Sequence, residues 1–64
     1  MERERVLAAL AHATSPEQRR AASEHLRRWV EEQPDDQQAR ELLAAAEAGD
    51  WEAVVARLGE HGSG

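Results

Sequence analysis

Three short breaks constrain this chain more than anything else in it: Thr14-Ser15-Pro16, Gln33-Pro34-Asp35-Asp36 and Gly49-Asp50. Each combines a helix stop with a helix start. Ser15 suits an N-cap, Pro16 the first helical position, and Gln18 completes a capping box. Pro34 disfavours helical geometry at Gln33, and Asp35 or Asp36 then caps the next helix. Gly49 takes the left-handed conformation without a Cβ clash, and Asp50 is the next cap. The segments between the breaks read as helices over about 2–13, 16–32, 36–48 and 51–58, with Gly59 or Gly62 ending the last and 61–64 left as a flexible tail. Connections of two or three residues make neighbouring helices antiparallel. The expected fold is therefore all-α, a single domain over 1–60 of two helical hairpins in series, closing as a small bundle or stacking like a solenoid.

Each segment carries an apolar stripe at helical spacing. Helix 1 offers Val6, Leu7, Leu10 and Ala13; helix 2 offers Ala22, His25, Leu26, Trp29 and Val30. Ala39, Leu42, Leu43 and Ala46 line helix 3, and Trp51, Val54, Val55 and Leu58 are in register on helix 4. Only twelve side chains larger than alanine are apolar on these stripes, although the chain is 41% hydrophobic. Alanine accounts for much of that share and buries little area. Chains of this size usually need a disulfide, a metal or a partner. With no cysteine there is no disulfide and no Cys-based metal site, so self-association is the expected way to enlarge the core. No stretch approaches the roughly 20 apolar residues of a membrane span, and Met1-Glu2-Arg3-Glu4-Arg5 lacks the pattern of a signal peptide. The sequence thus points to a soluble, cytoplasmic protein.

His25 is the most interesting polar residue, since it falls on an apolar stripe. It suits a pH-sensitive interface or a metal or ligand contact, but a boundary histidine making one hydrogen bond is the simpler reading. His12 sits near the end of helix 1, where a protonated ring complements the helix dipole, and His61 lies in the tail. No histidine pair has the four-residue spacing of a helical zinc site, so no metal ligand or cofactor is assigned. Ser15 is accounted for as a cap, and Ser23 lies on a charged face without a motif. No residues assemble as a catalytic set, so no enzyme activity is expected. Arg19, Arg20, Arg27 and Arg28 alternate with Glu17, Glu24, Glu31 and Glu32, and the net charge is −5. Nucleic acid, which needs a positive field, is not an expected partner.

Charge is unevenly divided. Residues 1–33 hold six Arg and six Glu, whereas 34–64 hold two Arg and seven acids. The acidic second hairpin, with Glu47 and Glu52, is a candidate surface for a basic protein partner. Trp29 and Trp51, the only aromatic residues, are read as core. Tryptophan is also enriched where interfaces are strongest, and Trp29, Trp51 and His25 are the candidate interface residues.

The run from Leu42 through Gly49-Asp50 to Leu58 resembles the helical hairpin of an ankyrin repeat, and the Gly-Asp turn is similar to that of tetratricopeptide repeats. Gln37-Gln38-Ala39-Arg40 stands where the ankyrin signature opens its first helix. No 33- or 34-residue self-similarity relates the two halves, so the likeness is one of hairpin physics. In style, with clean caps, alanine-filled helices, short loops and no cysteine, the chain also resembles computationally designed helical proteins. Phe, Tyr, Ile, Asn, Lys and Cys are all absent, which fits either a narrow design alphabet or a GC-rich gene. The leading expectation is a non-enzymatic helical assembly module that forms a homo-oligomer. The alternatives are a monomeric adaptor using the acidic hairpin and a histidine-based metal or ligand binder.

Overall fold

Each break resolves into specific hydrogen bonds in the computed structural model, which describes residues 2–62, with side chains over 2–59. Between α1 (Arg3–His12) and α2 (Pro16–Glu32), Ser15 Oγ accepts from the Gln18 amide at 3.2 Å. The Gln18 side-chain oxygen answers by accepting from the Thr14 amide, the Thr14 hydroxyl and the Ser15 amide, at 2.9, 3.0 and 3.3 Å. This is the capping box read from the sequence, extended by one residue.

The second break is a turn in which the Asp36 amide donates to the Gln33 carbonyl at 3.1 Å. Asp36, rather than Asp35, then caps α3 (Gln37–Glu47) by accepting from the Ala39 amide. At the third break Gly49 has φ of 77°, and its amide donates to Ala46 while that of Asp50 donates to Ala45. That pair of bonds is a Schellman motif, which uses carbonyls the helix end would otherwise leave unpaired. Asp50 Oδ1 accepts from the Ala53 amide at 3.2 Å and so starts α4 (Trp51–Gly62).

The helices pack in a ring: α1 on α2, α2 on α3, α3 on α4, and α4 back on α1. The last contact settles the choice between the two expected arrangements, because a closed ring is a bundle and a stacked solenoid would leave α1 and α4 apart. No strand occurs among the described residues. The interior is small. Val6, Leu10, Leu26, Leu42 and Val54 are the large buried side chains, joined by Ala13, Ala22 and Ala39. Leu7, Trp29, Val30, Leu43, Trp51 and Leu58 pack against them while keeping part of their surface outside.

Two expectations need correction. The last helix runs past Leu58 and through Gly59 to Gly62, the second of the two glycines expected to end it, so the tail expected from 61 begins too early. Glycine weakens a helix without forbidding it, and among the described glycines Gly49 alone has positive φ. Of the expected tail, 61 and 62 belong to this helix, and 63–64 lie outside the described residues. Val55, placed with the core stripe, is 52% exposed.

The two glycines make opposite predictions from one substitution. A Cβ at either meets nothing within 4 Å, so only backbone preference decides. Gly49→Ala, at positive φ, should lower stability by about 1 kcal/mol, whereas Gly59→Ala, in an ordinary helical conformation, should raise it by about 0.5 kcal/mol. Urea denaturation followed by circular dichroism measures both; equal signs would contradict this account of the third break and of α4.

Candidate functional site

The densest polar arrangement is centred on Asp36. Its Oδ2 accepts from Arg3 Nε at 2.7 Å and from the Trp29 indole Nε1 at 2.9 Å, while Oδ1 holds the Ala39 amide at 3.2 Å. Arg3 also donates to Gln38. One carboxylate thereby joins the start of α1, the end of α2 and the start of α3. The Arg3 guanidinium is the main reason its pKa is drawn down from 3.8 to about 2. Burial pushes the other way, and the bonds from Trp29 and Ala39 add to the lowering. Both carboxylate oxygens are engaged in bonds that join helix ends, so the cluster reads as a structural device.

The candidate interface residues take three different positions. Trp29 is half-buried with its indole N–H committed to Asp36. His25 is exposed, contrary to its placement on the stripe of α2. At about 100° per residue it lies about 80° from the midpoint of the buried pair Ala22 and Leu26, which is the shoulder of the helix. There it borders a groove with Arg5, Val6 and Ala9 of α1. Among the described residues no three His, Cys, Asp or Glu side chains come together to hold a metal.

Trp51 is also half-buried, and the guanidinium of Arg19 stands 5.7 Å from the centre of its ring. That distance is within cation–π range. Arg19, Trp51, Glu52, Val55 and Ala56 line one open groove. It contains Val55, the one large apolar side chain exposed among the described residues, and sequence reasoning misses half of it. Spacing alone places Val55 in the core and Arg19 on a solvated face. The signal that could have found them is the width of the α4 stripe, which is too broad for its neighbours to cover both edges.

The acidic second hairpin is less available than its composition suggests. Glu47 pairs with Arg27 at 3.0 Å, Glu41 with Arg57 at 3.7 Å, and Asp36 with Arg3. Arg27 thus reaches across to α3 instead of pairing with Glu31 four residues along its own helix. No described helix is long and apolar enough to cross a membrane. No known protein family, curated protein or solved structure matches this chain.

Because its folded pKa is depressed, Asp36 adds stability that is fully present above pH 4 and is lost as pH falls through about 2. The Asp36 side chain is 15% exposed and that of Arg3 32%, so solvent screening trims the full linkage value to about 1–2 kcal/mol. Asp36→Asn should cost about that much at pH 7, and the gap from wild type should close towards pH 2. Denaturant titrations at several pH values test this. A constant gap across that range would mean the ion pair does not carry the effect.

Proposed function

We propose that this chain is a non-enzymatic helical assembly module that self-associates through its apolar surface, acting in the cytoplasm. The observation that carries the reading is the uncovered apolar shoulder of α4, where exposed Val55 adjoins half-buried Trp51. It stands beside a core in which, among the described residues, five side chains larger than alanine are fully buried. Small chains gain stability from any partner that binds the folded state, and a second copy is the partner always present. A designed scaffold, which the chain resembles in style, fits this role as well as a natural assembly domain does.

An adaptor that recruits a basic protein through the second hairpin is supported less well. Three of its acids already hold arginines, two of them on the first hairpin. A ligand role for His25 has only the open α1–α2 groove behind it.

Light scattering after size exclusion, over a roughly hundredfold concentration range, tests the proposal. The expected mass rises with concentration from 7.1 kDa towards a fixed multiple, and the melting temperature rises with it. A mass of one chain throughout would reject self-association and leave the adaptor reading as the one to pursue.

A further inference from the structure

The groove on α4 combines three properties that together specify its occupant. First, it holds the one large apolar side chain that is exposed among the described residues, Val55. Trp51 adjoins it, one face of its ring lying under Arg19. Second, the residues outward of Trp51 keep the helix surface low. Glu52, Val55, Ala56 and Gly59 follow the i, i+3, i+4, i+7 spacing of one ridge, and Ala56 and Gly59 let another helix approach closely. Third, the groove carries one charge of each sign. Arg19 enters from α2 and Glu52 from α4 itself, and among the described residues neither side chain has an ion-pair partner that a second copy would have to displace. By helix geometry Glu52 lies about 100° around α4 from Trp51, with Val55 between them at about 40°. The apolar pair therefore separates the cation from the acid.

A surface ordered as cation, apolar strip, acid is complementary to itself after a half-turn. A two-fold interface makes reciprocal contacts, in which residue i meets residue j and j meets i. We infer that this groove is a two-fold docking face for a second copy of the chain. Arg19 then pairs with the partner's Glu52, and Trp51 packs on the partner's Val55, each contact made twice. A guanidinium held over an indole face at cation–π distance still has N–H groups to give a carboxylate, so the contact leaves Arg19 available for the ion pair. A strongly basic or acidic partner would satisfy only one of the two charges. A stable interface covers about 800 Å² per partner, about a sixth of the 4549 Å² surface of this chain, so the groove must be the centre of a larger contact along α4.

This inference rests on the self-association reading and specifies its face. The test is light scattering and sedimentation of wild type, Val55→Glu, Arg19→Glu, Glu52→Arg and the double reversal Arg19→Glu with Glu52→Arg. Val55→Glu should leave one folded chain at concentrations where wild type is a dimer, with circular dichroism unchanged because the side chain is exposed. Each single reversal should weaken the dimer by about tenfold or more, and the double reversal should restore it. Association in wild type that persists unchanged in Val55→Glu and in the single reversals would overturn this face while self-association stands. Failure of the double reversal to restore the dimer would overturn the reciprocal pairing. A wild type that stays a single chain at every concentration would overturn both.

Discussion

The carboxylate of Asp36 is the point on which the arrangement of the first three helices depends. It caps α3, receives the indole N–H of Trp29 from the last turns of α2, and holds Arg3 at the start of α1. In an up-down ring those three termini share one pole, so a single side chain sets their mutual spacing. An isolated exposed ion pair would contribute little, but this one is partly buried and shares its acceptor with an otherwise unpaired indole. Buried polar groups cost most when left without a partner, and here no buried side-chain polar atom is unpaired among the described residues. The opposite pole is assembled differently, from local devices: the Ser15–Gln18 box, the Gly49 turn, the Asp50 cap and the Arg19–Trp51 contact.

The unequal division of charge between the halves follows from the same logic. A neutral first hairpin and an acidic second one suggest a surface awaiting a basic partner. In the folded chain the arginines of the first hairpin supply part of that partner, Arg3 to Asp36 and Arg27 to Glu47. Exposed pairs such as Arg27–Glu47 add little stability, yet like charges brought together would cost several times more. The two cross-hairpin pairs therefore take up part of the acidity of the second hairpin within the fold itself.

What could be read from the sequence was local. Ser15, Pro16 and Gln18 lie within four residues, as do Gly49 and Asp50, and caps and turns depend on little beyond such neighbours. The role of Asp36 was only half legible. Its cap was one of two candidates, while its bonds to Trp29 and Arg3 span 7 and 33 residues and follow from the closure of the ring. The stripe of α4 shows the limit of periodicity more sharply. Trp51, Val54, Val55 and Leu58 cover about 100° of the helix, with Val54 on one edge and Val55 on the other. Periodicity identifies the stripe but not which edge the neighbours cover. Packing on α3 and α1 buries Val54 completely and leaves Val55 outside. His25 is the same case on α2, a stripe residue by spacing that falls on the uncovered shoulder.

The two poles differ in what can act on them. The Asp36 pole is governed by protonation, since its ion pair, and the acceptor shared with Trp29, depend on an ionised carboxylate. At the other pole Trp51 belongs at once to the rim of the core and to the groove, so anything that covers its outer edge also braces the start of α4. A second copy seated there, as proposed, would add apolar burial to a core that is short of it, where this pole has only one aromatic ring to offer. Association through α4 would then stabilise the fold without touching Asp36, and loss of the Asp36 ion pair would loosen the fold without removing the docking face. On the self-association proposed above, stability and assembly would be set by separate ends of one short bundle, linked through the buried leucines between them.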